Sequence, residues 1–158
     1  MISKLTPNIW QFDFQEFGSC VYLIKINNKN ILIDTGSKSN KEELINDLKK
    51  LHLTPEQINI LILTHEHWDH VGNIELFADA KTYNNSNINE LGIKEFKIIK
   101  APGHTQKDIC ILYDDVLFSG DVIFHNGCVG RTDFPESNQK EMQKSLEKLK
   151  KINYKILC

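Results

Sequence analysis

The chain has 158 residues, 41% of them hydrophobic, and carries 21 acidic against 19 basic side chains, a formal net charge of −2. That length suits one domain with a core of its own, the near-balanced charge gives no global reason to bind nucleic acid or an anionic membrane surface, and no apolar run reaches the ~18 residues that would span a bilayer. The four cysteines, Cys20, Cys110, Cys128 and Cys158, form no Cys-x-x-Cys and suggest neither a zinc knuckle nor a disulfide framework.

From the start of the chain, Met1-Ile2-Ser3-Lys4-Leu5-Thr6-Pro7 lacks the apolar core of a secretory signal. Free thiols without such a segment point to a reducing cytoplasm. Ile9 to Phe14 alternates apolar and polar residues and reads as a strand. Ser19 to Ile26 and Asn30 to Asp34 read as two more, joined at Asn27-Asn28-Lys29 as a hairpin. Gly36 ends the third. A helix is expected to open at Ser39, with Glu42 completing a capping box and Leu44, Ile45, Leu48 and Leu51 at helical spacing.

Thr54-Pro55-Glu56-Gln57 carries a second helix-start signal and leads into a buried strand, Ile58 to Leu63. A short helix is expected near 72–77, and weaker strands near 80–83 and 96–100. Ile109 to Tyr113 and Val116 to Ser119 form a second expected hairpin, turning at Asp114-Asp115. A lysine-rich helix spans about 138–151, with Met142, Leu146 and Leu149 inward, and Tyr154 to Leu157 reads as a last strand. No repeat, low-complexity tract or linker divides the chain, so residues 1–158 are expected to form a single domain. Strands and helices intermixed in this way suggest α/β layers.

Thr64-His65-Glu66-His67-Trp68-Asp69-His70 follows the apolar run 60–63 and holds three of the chain's six histidines. Three imidazoles and a carboxylate this close suit borderline divalent metals such as zinc or iron. Two later segments also lie at strand ends. Pro102-Gly103-His104-Thr105 presents a histidine from a tight turn, and Ser119-Gly120-Asp121 presents a carboxylate. Each is weak alone, since a loop histidine is commonly just exposed and an aspartate commonly just turns the chain.

With His-x-His-x-Asp-His at 65–70, Pro-Gly-His-Thr at 102–105, Gly-Asp at 120–121 and an early Asp34-Thr35-Gly36 turn, the chain resembles the metallo-β-lactamase superfamily over essentially its whole length. The resemblance implies an α/β fold, the four-layer αββα sandwich, with the site at one edge of its two sheets. It implies His65, His67 and His104 as ligands of a first metal, Asp69 and His70 as ligands of a second, and Asp121 bridging both. Asp69 and Asp121 are the expected catalytic carboxylates. Asp34 would hydrogen-bond to the metal-bearing loop; a plain turn residue is the alternative. The implied cofactor is one or two zinc ions, with iron possible. Two close metals would lower the pKa of a shared water and polarise the carbonyl under attack.

Gly130-Arg131-Thr132-Asp133-Phe134-Pro135 narrows the resemblance to the hydroxyacylglutathione hydrolase (glyoxalase II) group, whose segment the persulfide dioxygenases share. The expected substrate is a small molecule, a thioester cleaved to a thiol and a carboxylic acid. Arg131 would steer an anionic substrate, or pair with a carboxylate such as Asp133. Cys128 is open to the same question, as a packing residue or a group near the site. Longer glyoxalase II enzymes grip glutathione with a C-terminal helical region, for which the residues after 137 offer one helix.

The family also places a histidine in a Gly-His-Gly-like turn after the last strand, and here the chain stops at Cys158. A domain lacking that last segment, with a weaker second metal site, is therefore the expectation. His125 is the one conceivable stand-in, because His52 lies far upstream. The unfinished sheet face leaves a homo-oligomer possible. Alternative readings are an iron persulfide dioxygenase-like enzyme and a truncated metal-binding domain without activity. A nuclease fits the charge poorly, and the lysines of 140–151 read as a solvated helix face. A periplasmic β-lactam hydrolase fits the missing signal segment poorly.

Overall fold

The computed structural model describes all 158 residues. They fall into two compact units, Met1–Tyr83 and Asn84–Cys158.

The first unit is a six-stranded sheet with one long helix. Its strands are β1 (Ile2–Thr6), β2 (Ile9–Phe12), β3 (Val21–Ile26), β4 (Lys29–Ile33), β5 (Ile60–Ile62) and β6 (Lys81–Tyr83), in spatial order β1-β2-β3-β4-β5-β6. β1 to β4 form an antiparallel meander, and β5 and β6 are added in parallel. The β3–β4 hairpin closes at Asn27 and Asn28, both at positive φ (50° and 60°), the twist a two-residue hairpin requires and one that asparagine tolerates. β1 was not expected: its outer edge is unpaired, its residues are at most half-buried, and its alternation is interrupted by a register shift between Lys4 and Thr6.

Leu23, Leu32 and Leu61 stand in register across β3, β4 and β5. They pack in one cluster with Leu44 and Leu48 of helix α1 (Lys41–Lys50) and with Phe12, Leu53, Ile58 and Phe77. On the opposite face Ile24, Ile31, Ile33, Ile60 and Ile62 are buried as well. Burial on both faces is why β4 and β5 read as continuous apolar runs and not as an alternation.

Helix α1 starts differently from the expectation. The capping box is Ser37 with Asn40, opening a 3-10 turn over Lys38–Asn40 that leads into α1. Asn40 Oδ1 accepts from the Ser37 backbone N–H at 2.8 Å, so the shorter asparagine at this spacing takes the role assigned to Glu42. The second helix-start signal yields only a 3-10 turn, Pro55–Gln57, capped by Thr54 and Gln57, because β5 begins three residues later. The short helix expected at 72–77 is a 3-10 turn, Ile74–Phe77, and a four-residue helix α2 (Trp68–Val71) precedes it.

The second unit is a four-stranded sheet in the order β10-β9-β8-β7, with β7 (Phe96–Lys100), β8 (Ile109–Tyr113), β9 (Val116–Phe118) and β10 (Ile156–Leu157). β7, β8 and β9 are antiparallel, and β10 adds in parallel to β9. Helix α3 (Gln139–Leu149) lays Met142 and Leu149 against Ile99, Ala101, Cys110, Leu117 and Val122. Each unit is thus a helix layered on a sheet, the α/β class expected from the chain. No helix is long and apolar enough to cross a membrane.

Candidate metal centre

In the first unit the candidate ligands follow the C-terminal end of β5. The strand ends at Ile62, Thr64 and His65 remain buried, and the chain turns into α2 with His67 as its N-cap. His65 offers a ligand atom within 4.8 Å of one on His67 and, likewise, of one on His70. The His65 ring centroid lies 4.7 Å from that of His67 and 4.0 Å from that of His70. Asp69 is half-buried on α2, and its backbone oxygen accepts from Ser19 N at 3.1 Å.

Asp34 sits beneath this loop, 2% exposed and at φ 60°. Its Oδ1 accepts from Thr64 N at 2.8 Å, and its Oδ2 accepts from Thr64 Oγ1 at 2.7 Å. Oδ2 also lies 2.8 Å from His70 Nδ1. An ionised carboxylate only accepts, so Nδ1 of His70 carries the proton and Nε2 presents the lone pair. Such a partner fixes both ring orientation and tautomer of a ligating histidine.

Asn73, which no sequence motif marked, and Thr35 of the early Asp-Thr-Gly turn lock the loops together. Asn73 donates through Nδ2 to the carbonyls of Thr35 (2.8 Å) and Ser37 (2.6 Å). Thr35 donates through N and Oγ1 to the carbonyl of His70, at 2.7 and 2.9 Å. Gly72 lies so close to the 36–38 backbone that a Cβ would stand 2.5 Å from Lys38 N. The asparagine three residues past His70 was the available signal; a buried amide spanning two carbonyls is a long-range feature that no local pattern marks.

In the second unit His104 follows β7 on the 101–105 turn. Helix α3 and the two residues before it hold this turn: Asn138 N donates to Gly103 O (2.8 Å), Ser145 Oγ to Pro102 O (2.8 Å) and Ser137 Oγ to His104 O (2.6 Å). A Cβ on Gly103 would meet the Met142 backbone at 2.5 Å, which is why glycine precedes the histidine. Asp108, also passed over, closes the loop by accepting from Thr105 N and Oγ1 at 2.7 and 2.6 Å. Burial raises the Asp108 carboxyl above its ordinary value, opposed by those two hydrogen bonds.

His104 Nδ1 lies 2.8 Å from the Arg131 carbonyl, and its Nε2 lies 3.3 Å from Asp121 Oδ2. Asp121 follows β9 on a turn through Gly120, whose φ is 52°. Arg131 is paired with Asp133 through two hydrogen bonds of 2.9 and 2.8 Å. His125 and Cys128 are exposed in the 124–129 loop, and His52 is exposed just beyond α1.

These donors fit a divalent ion. An imidazole lone pair facing a carboxylate oxygen is repulsive until a proton or a cation lies between them. Ligand atoms on a tetrahedral zinc ion, about 2.1 Å from the metal, stand about 3.4 Å apart, close to the 3.3 Å from His104 to Asp121.

The metallo-beta-lactamase superfamily model matches residues 15–92 and 85–158. A probable metallo-hydrolase of Methanocaldococcus jannaschii is 34% identical over 132 residues, covering 77% of this chain and 64% of its own length. Hydroxyacylglutathione hydrolase 1 of Vibrio vulnificus is 35% identical over 154 residues, covering 85% of this chain and 58% of its own length. The chain therefore spans less than two thirds of the length of either relative. Among solved structures, a subclass B3 metallo-beta-lactamase of Bradyrhizobium japonicum superposes with a TM-score of 0.76 at 17% identity, covering 99% of this chain and 75% of that one. That likeness is one of fold. With the family model covering nearly all of the sequence, the chain belongs to the metallo-β-lactamase superfamily and has its fold.

Proposed function

We propose that this chain is a metal-dependent thioester hydrolase of the glyoxalase II type. The observation that carries this reading is the oriented donor set: His70 held by Asp34 beside His65 and His67, and His104 held by the Arg131 carbonyl beside Asp121. The 35% identity to a hydroxyacylglutathione hydrolase supports the choice of thioester. The residues that would hold metal are His65, His67 and His104 for one ion and Asp69 and His70 for a second, with Asp121 serving both. A bound divalent ion supplies an acidified water and polarises the carbonyl.

The chain's own groups do the rest. Asp34 Oδ2 holds the Nδ1 proton of His70, so the ring would bind a metal through Nε2. Asp69 and Asp121 orient the attacking water and accept its proton. The water oxygen bonds to the carbonyl carbon, the carbon–sulfur bond breaks, and the proton passes to sulfur, giving a carboxylic acid and a thiol. Asp121, the more exposed of the two unit-two donors, faces the reactants, while buried His104 gives a fixed ligand.

Elemental analysis of protein purified without chelator, followed by assay of a small thioester panel, tests the reading. The expected result is bound zinc or iron with thioester turnover that chelation abolishes. Fully loaded protein that cleaves no thioester overturns it; iron together with oxygen consumption on a persulfide would redirect the assignment to a dioxygenase.

A further inference from the structure

Gly130-Arg131-Thr132-Asp133-Phe134 touches both candidate ligands of the second unit. At its start, a Cβ on Gly130 would lie 1.8 Å from the Asp121 carbonyl oxygen, so only glycine allows this approach. At the next residue, the Arg131 carbonyl stands 2.8 Å from His104 Nδ1. A carbonyl only accepts, so Nδ1 carries a proton, and Nε2, the atom nearest Asp121, is the one that would bind a metal. At its end, the Phe134 ring meets the His104 imidazole edge-on at 5.7 Å.

The segment is braced by its own side chains. The Arg131 guanidinium lies 4.6 Å over the Phe134 ring and forks onto Asp133. Both partners of this ion pair are about two-thirds exposed, with side-chain values of 69% and 66%. Exposed pairs contribute little to global stability. This pair links residues 131 and 133 of one short stretch of backbone.

We propose that Gly130–Phe134 is a positioning segment for the metal centre, in which Arg131 acts through its backbone carbonyl on His104 and its side chain serves to hold that carbonyl in place. The proposal rests on the reading of His104 and Asp121 as metal ligands. It makes Arg131 a positioning residue and not a contact to substrate.

The test uses the full chain, with zinc as the probe, and the variants Arg131→Ala, Asp133→Ala and Arg131→Lys. Apparent zinc affinity, measured by competition with a chelating dye, is expected to fall roughly 2- to 5-fold in the two alanine variants, the range of an exposed ion pair. Lysine, which keeps one ion-pair contact, is expected to recover part of the loss. In zinc-loaded protein, nitrogen-15 spectra should show His104 Nδ1 protonated and hydrogen-bonded in the parent chain, with that hydrogen bond weakened in Arg131→Ala. The metal-free melting temperature should stay unchanged.

Parent-like zinc affinity and a parent-like His104 Nδ1 hydrogen bond in both alanine variants, with only a raised KM for a thioester, would assign Arg131 to substrate and overturn the proposal. So would a loss of affinity matched by a drop in the metal-free melting temperature. A parent chain that takes up no zinc or iron sinks the metal centre itself, which separates failure of the proposed function from failure of the positioning role.

Discussion

At the scale of single residues, Asp34 is the most consequential group outside the candidate ligands. Its carboxylate takes three contacts from Thr64 and His70, and its left-handed backbone is one that aspartate and asparagine tolerate better than alanine. Asp34→Asn keeps the backbone and one acceptor, whereas Asp34→Ala loses both. Metal affinity should therefore fall in the order parent, Asn, Ala, with the alanine variant roughly 10- to 100-fold weaker, as read by dye competition. The thiols give a second prediction. Burial, with a smaller contribution from neighbouring Asp13, pushes the Cys20 thiol up to about 12. At pH 8 only about one part in ten thousand of it is thiolate, the reactive form. Burial also raises Cys110, while Cys128 is exposed. A thiol reagent at pH 8 should label Cys128 and spare Cys20 and Cys110, as peptide mapping will show. Rapid labelling of Cys20 would contradict its buried environment.

At the scale of elements, α3 steadies the turn that carries His104, and α1 packs on the first sheet. Asn138 caps α3 by accepting from Lys140 N and Glu141 N, next to the contacts that Ser137 and Asn138 make with the His104 turn. Asn138→Ala should cost about 1 kcal/mol, measured by chemical denaturation. Leu48 of α1 is fully buried against the first sheet, so Leu48→Ala should cost about 2–5 kcal/mol by the same measurement. The exposed lysines of α3 behave as a solvated face. Lys144 pairs with Glu141 at 2.7 Å, and Lys148 reaches the Lys100 carbonyl at 2.6 Å.

Much of this scale was legible beforehand because it is local. The two hairpins show in Asn27-Asn28 and Asp114-Asp115, and α3 shows in the spacing of Met142, Leu146 and Leu149. The failures are equally physical. β1 gains its order by pairing with β2, a contact its own residues barely advertise. The start of α1 turned on whether Ser37 or Ser39 met a partner three residues on, and the two candidates differ only in which side chain closes the ring.

At the scale of the whole molecule, metal binding should couple to stability. An ion that binds the folded chain alone stabilises it by about 2.7 kcal/mol when present at a hundred times its Kd. Adding zinc to chelator-treated protein should raise the melting temperature in a concentration-dependent way, and His67→Ala should blunt the rise. A melting temperature indifferent to zinc in both proteins would count against the metal centre. β5, β8 and β9 are buried along most of their length, which is why they carry no charged residue.

The sequence by itself determined the family, the α/β class and which side chains are candidate ligands, because histidine and aspartate spacing at strand ends is written locally along the chain. Only the tertiary structure decided how those ligands are held. Asp34 reaches His70 across 36 positions, Asn73 ties two loops through one amide, and the Arg131 carbonyl faces His104 from 27 residues away. Contacts of that range depend on where packed sheets place their loops, and no periodicity or local motif encodes them.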